Sequence, residues 1–118
     1  MPIKNRIADF QSEMIQWRHY FHENPELAYK EFNTSKKVVE LLKTFGITNI
    51  EEGIGKTGVV ATLENGSGKS IGLRADMDAL PIFEENSNKK YKSKCDGRMH
   101  ACGHDGHSTM LLGAAKYL

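Results

Sequence analysis

Cys102 and His104 are the residues of this 118-residue chain best suited to chemistry. They sit in the run Met99-His100-Ala101-Cys102-Gly103-His104-Asp105-Gly106-His107, which packs one thiol, three imidazoles and one carboxylate into nine residues. Thiolate and imidazole are the donors that zinc and similar transition ions prefer. Two residues apart, both side chains can point to one side of an extended or turning backbone, and the glycines let the chain turn tightly between donors. Zinc takes four donors, one of them left open in a catalytic site. His100, Asp105 and His107 are the candidates for the others. His107 follows His104 by three residues and shares its face if a helix begins there. Asp105 could equally cap that helix, and His100 could support the ligands or be purely structural. A polar surface loop is the bland alternative for the whole run.

Asp76 and Asp78 form a second candidate group. The stretch Ser70–Ala75 reads as a strand, and both acids follow at its end, on one side by alternation. Carboxylates at strand ends of open α/β sheets often line sites; near a metal they bind it or orient a ligand imidazole. The alternative is a turn before Pro81, with aspartate bonding its own backbone. His19 and His22, three apart at the end of a predicted helix, could reach a metal, but histidine also suits a helix C-terminus structurally. The glycines of Gly53–Gly58 lack the spacing of a phosphate loop, which argues against nucleotide binding.

These groups need elements to position them. Ile3, Ile7, Phe10, Met14, Trp17 and Phe21 recur at spacings of four and three, the stripe of an amphipathic helix. Its end is expected at Asn24-Pro25, because a residue before proline leaves the helical region. Val38, Leu41, Leu42 and Phe45 predict a second helix over Glu31–Phe45, with Gly46 as its C-terminal cap. Gly58–Leu63 reads as a strand, joined through the Asn65-Gly66 turn to the strand Ser70–Ala75. Glu84–Lys94 reads as a polar loop, and Ser108–Leu118 as a helix that ends without a stop signal, as if cut in mid-helix. There is no internal repeat and no linker long enough to mark a second domain.

Composition sets the class. Charged residues make up 26% and apolar ones 39%, ordinary for a globular domain. A net charge of +1 argues against nucleic acid as a partner, and the lysines read as solvated surface. No apolar stretch reaches membrane-spanning length, and no charged-then-apolar leader opens the chain. The expectation is a cytoplasmic protein whose two cysteines, Cys95 and Cys102, stay reduced, leaving Cys102 available as a thiolate.

Arg18-His19 through Pro25-Glu26-Leu27, Gly58-Val59-Val60-Ala61, Leu73-Arg74-Ala75-Asp76-Met77-Asp78-Ala79-Leu80-Pro81, the Met99–His107 run and Leu111-Leu112-Gly113-Ala114-Ala115 occur in one order. Together they resemble the M20 metallopeptidase family, in its amidohydrolase branch of hippurate, N-acyl-amino-acid and auxin-conjugate hydrolases. The resemblance implies an α/β fold. Residues 1–118 would be the N-terminal portion of a zinc-peptidase-like catalytic domain: two helices, strands, then a helix after the Cys/His motif. It implies two divalent metals, zinc or manganese, in a complete site, and hydrolysis of the amide bond of a small N-acyl amino acid or dipeptide-like substrate. Cys102 and His104 match two metal ligands of the family. Asp78 matches the acid that orients metal-site groups. Asp76 stands where other branches carry a ligand histidine, which leaves it, with His107, a supporting place.

Family members are much longer, and the resemblance places their general-base glutamate, further ligands and the lid domain that mediates dimerisation beyond Leu118. Complete members are expected to be homodimers or larger homo-oligomers. Hydrolysis needs a base to take a proton from water, and the one glutamate pair here, Glu84-Glu85, precedes the Cys/His motif. The expected function is therefore a metal-dependent amidohydrolase, represented by an N-terminal part that is inactive alone. The alternatives are a non-catalytic truncated remnant and a small metal-binding module.

Overall fold

The computed structural model describes residues 2–85 and 88–118. Its elements are α1 (Pro2–Asp9), α2 (Gln11–Glu23), α3 (Phe32–Thr44), β1 (Ile50–Ile54), β2 (Gly58–Ala61) and α4 (His104–Tyr117). This is the expected α/β order of N-terminal helices, strands and a helix after the Cys/His run.

The amphipathic stripe forms two helices rather than one. The chain turns at Phe10, whose N–H reaches only three residues back, to Ile7 O at 3.0 Å. The turn buries the Phe10 ring under the Lys116 ammonium, 4.6 Å from its centroid. Tertiary packing thus overrides a pattern with no glycine or proline to announce a break. The side chain of Ile3, the first member of the stripe, lies outside the described set. Helix α2 ends at Glu23 before Asn24-Pro25, and α3 ends before Gly46, whose φ of +86° only glycine adopts without strain. Glu26 caps α3 from outside: its carboxylate accepts from the N–H of Asn33 (3.2 Å) and Thr34 (2.5 Å) and from the Thr34 hydroxyl (2.6 Å).

The strands differ from expectation. β2 pairs antiparallel with β1, with Ile50 opposite Ala61 and Glu52 opposite Val59, and the register shifts between Glu52 and Ile54. β1 was not legible, because Glu51-Glu52-Gly53 has neither apolar alternation nor β-branched residues. Ser70–Ala75 has no regular secondary structure and forms no ladder among the described residues. Ile71 and Leu73, the apolar side of that expected strand, are 84% and 57% exposed. Alternation specifies a strand only where a neighbour pairs with it and a layer covers it, and here the close turn after Ile54 gives β2 its partner at lower closure cost.

The core joins α2, α3 and α4 through Trp17, Phe21, Leu42, Ile47 and Leu112. α4 meets α2 at Gly113, where a methyl would stand 2.7 Å from Met14 Cε and 2.9 Å from its Sδ and would displace the end of that side chain. Phe21 is fully buried at the centre. Phe21→Ala should lower stability by about 3–5 kcal/mol, read as a reduced urea midpoint with an unchanged slope; a loss well under about 1 kcal/mol would contradict this core.

Candidate metal centre

Two backbone connections bring the acids to the Cys/His motif. Ala79 N donates to Glu26 O at 2.8 Å, just after α2. Leu80 and Met99 exchange both backbone hydrogen bonds, at 2.9 and 3.0 Å. The segment carrying Asp76 and Asp78 is thus clamped between the end of α2 and the residues leading into α4. The buried Ser108 hydroxyl of α4 adds a third tie, donating to Asp76 O at 3.0 Å.

α4 begins at His104, four residues earlier than the expected Ser108, after Gly103 in the left-handed region at φ +104°. Gly103 is the N-cap residue, so Asp105 lies inside the first turn rather than capping it. The helix start turns His104 toward the acids. Its Nδ1 lies 2.8 Å from Asp78 O and 3.0 Å from Asp78 Oδ1. A carbonyl oxygen only accepts, so Nδ1 carries a proton, and in the neutral ring Nε2 is then the nitrogen with the lone pair. Nε2 faces Asp76 Oδ2 at 3.9 Å. Asp76 Oδ1 in turn meets Arg74 Nε and Nη2, both at 3.2 Å, at the surface.

Ligand atoms of Asp76, Asp78 and His104 all lie within 4.8 Å of one another. Two donors of one divalent ion, each about 2.0–2.2 Å from it, stand at most roughly 4.4 Å apart. The 3.9 Å gap between Nε2 and Asp76 therefore has room for an ion. Asp78, at Nδ1, stands where a carboxylate orients a ligand imidazole. Cys102 precedes this cluster with a free, exposed thiol and is not one of its three members. His107 shares the first turn of α4, but its ring is exposed, 6.0 Å from that of His104.

Behind this cluster lies a second one, buried. The Asp105 carboxylate meets His22 Nδ1 at 2.9 Å, Arg18 Nε at 3.3 Å and the Gly106 N–H at 2.9 Å. His22, 2% exposed, places its other nitrogen 2.9 Å from Glu84 Oε1, which also accepts from Ser93 N at 3.1 Å. Burial pushes the Asp105 carboxyl up, but the His22 hydrogen bond, the Gly106 N–H and the His100 and Arg18 charges together hold it below its ordinary value. His100 is 5% exposed, and among the described residues neither ring nitrogen has a hydrogen-bond partner; burial pushes its pKa down, with Asp105 opposing.

The structural role expected for His22 thus takes a definite form, while His19 stacks on Tyr91 at 3.8 Å. The sequence alone does not mark Arg18 and Glu84 as members of this cluster. The four-residue spacing of Arg18 and His22 on one helix face was the available signal. Nothing in the polar run from Glu84 distinguished the buried Glu84 from the exposed Glu85. Asn86 and Ser87 of that expected loop lie outside the described residues.

The profile of peptidase family M20/M25/M40 matches residues 72–118. Over its whole length the chain is 59% identical to the hippurate hydrolase of Campylobacter jejuni, of which it spans 30%. Over 98% of its length it is 52% identical to thermostable carboxypeptidase 2 of Saccharolobus solfataricus, again spanning 30% of that relative. The crystal structure of the Bacillus subtilis YXEP protein, a dinuclear metal-binding peptidase of the M20 family, superposes with a TM-score of 0.85 at 41% identity, covering 93% of this chain and 31% of that one. The chain is thus similar over its length to M20 peptidases, and it spans about 30% of the length of the curated relatives it matches. No helix among the described residues is long and apolar enough to cross a membrane.

The two lowered pKa values act on stability in one direction. His100 binds a proton less readily folded than unfolded, so its stabilisation is complete above the ordinary value of 6.5 and falls as pH drops below it. Asp105 adds a loss only at lower pH, below its ordinary 3.8. The urea midpoint should be lower near pH 5 than near pH 7.5, where imidazoles are neutral, and His100→Gln should reduce that difference. An undiminished difference in the variant would contradict the assignment.

Proposed function

We propose that this chain supplies part of the metal centre of an amidohydrolase that cleaves the amide bond of N-acyl amino acids. The observation that carries the reading is the convergence of Asp76, Asp78 and His104 at the start of α4, two residues after a free Cys102 thiol. In this reading Cys102 and His104 hold a divalent ion, Asp78 orients the His104 imidazole through Nδ1, and Asp76 and His107 stand beside them. The donor set fits: imidazole and thiolate suit zinc, and the adjoining carboxylates also suit manganese. Bound there, the ion would polarise the scissile carbonyl as a Lewis acid.

The substrate class rests on the relatives. Hippurate is an acylated glycine, and a carboxypeptidase frees a C-terminal amino acid. Both bonds are amides whose amine side carries a free carboxylate. A small substrate of that kind also accords with a chain of near-neutral charge. We place the protein in the cytoplasm, where Cys95 and Cys102, both free in the structure, stay reduced. The complete enzyme would hold two ions and assemble as a homodimer or larger homo-oligomer.

No glutamate of this chain is assigned as the base. Glu84 is engaged with His22 and Ser93, and the loss of base assistance alone costs about 10²–10⁴-fold in rate. The 118-residue chain by itself should therefore show no appreciable turnover of N-acyl amino acids while still binding metal. Titration with Co²⁺ should give sulfur-to-metal charge-transfer absorption that disappears in Cys102→Ser, and affinity should fall in His104→Gln. Cobalt binding without thiolate absorption would overturn the ligand assignment, and chelator-sensitive turnover at about 1–10³ per second would overturn the incomplete site.

A further inference from the structure

His22 lies in the body of the domain, on α2, yet it touches the first turn of the helix that carries His104. Its Nδ1 holds Asp105 Oδ2 at 2.9 Å, and Arg18, one turn earlier on α2, holds the same oxygen at 3.3 Å. Its Nε2 holds Glu84, which anchors the loop leading back toward the Cys/His motif. Lys94 secures that loop a second time, by its N–H to Glu23 O at 2.9 Å and its ammonium to the Glu23 carboxylate at 2.9 Å. Tyr91 covers the group, stacked on His19 and edge-on to His22 at 5.5 Å.

A network of this kind is expensive as a source of stability. Desolvating charged groups costs several kcal/mol each, and well-packed apolar residues of similar volume often do as well. What such a network does supply is one definite geometry. Asp105 is adjacent to His104, and its main chain is also fixed, with Thr109 Oγ1 donating to Asp105 O at 2.8 Å. The first turn of α4 therefore has little freedom to rotate. The His104 ring is set by that turn on one side and by Asp78 on the other.

We propose that His22 is a positioning residue for His104: by gripping Asp105 it fixes the first turn of α4 so that His104 donates Nδ1–H to Asp78 and leaves Nε2 facing Asp76. The geometry stands without metal, while its consequence for metal affinity rests on the proposed function above. Arg18 shares the grip on Asp105, and Glu84 fixes the His22 ring from the opposite side.

The test reads the His104 ring directly in the 118-residue chain. In long-range ¹H–¹⁵N spectra near pH 8, where a free imidazole is neutral, wild-type His104 should populate the Nδ1–H tautomer. His22→Leu should leave a mixture of tautomers, and His22→Gln, which keeps a polar side chain at this buried position and serves if the leucine variant does not fold, should shift the population in the same direction. Leu112→Ala opens a cavity in the core without touching the network, and it should keep the wild-type tautomer despite comparable destabilisation. Cobalt affinity should fall at least about tenfold in the His22 variants, at the lower end of the range for groups that support metal ligands, and stay unchanged in Leu112→Ala. An unaltered His104 tautomer in a folded His22 variant overturns the assignment, as does an equal change in Leu112→Ala. A wild-type chain that binds no cobalt contradicts the metal reading instead, and the tautomer comparison still decides the role of His22.

Discussion

The Asp105 carboxylate is where the core of this domain becomes its site. It accepts from Gly106 N–H within its own helix and meets His22 and Arg18 of α2. A carboxylate in the first turn of a helix is favoured by the unpaired N–H groups there. Buried at 3% exposure, it would be strongly destabilising without those partners. The start of α4 is therefore tied to α2 in one orientation, and that orientation turns His104 toward the acids. The apolar packing of Phe21, Trp17 and Leu112 brings the two helices together; the polar contact sets where α4 begins to face.

The acids arrive by a different route. Asp76 and Asp78 belong to a segment with little regular structure, held by backbone bonds to Glu26 and Met99 and by the Ser108 hydroxyl. Two short parallel and antiparallel bridges do the work of a strand here. The imidazole of His104 then closes the arrangement through Asp78, which fixes the tautomer that exposes Nε2. The site so formed combines hard carboxylate with borderline imidazole, and a soft thiol lies two residues away, a donor range suited to a transition ion.

Much of this was legible in the residues. Helix α3 and the end of α2 follow from apolar spacing, Gly46 and Asn24-Pro25, because those signals are local. The Met99–His107 run announced itself by composition, and Asp76 and Asp78 by position. The break at Phe10 and the absence of a ladder at Ser70–Ala75 were not legible, because both depend on what packs alongside. The same holds for β1, whose glutamates and glycine form a strand only because β2 lies opposite. At the site, the early start of α4 at His104 escaped the pattern because glycine and histidine are poor helix formers. The partnership of His22 with Asp105 joins residues 83 apart in the chain, and no single-sequence periodicity reaches that far.

The proposed sharing of one ion by Cys102 and His104, beside Asp76 and Asp78, is open to direct measurement. X-ray absorption at the metal edge of the zinc-loaded chain tests it most directly. One sulfur scatterer is expected at about 2.3 Å with nitrogen and oxygen scatterers at about 2.0–2.2 Å, including the outer-shell signature of an imidazole. A shell made only of nitrogen and oxygen, or one without imidazole, would contradict it.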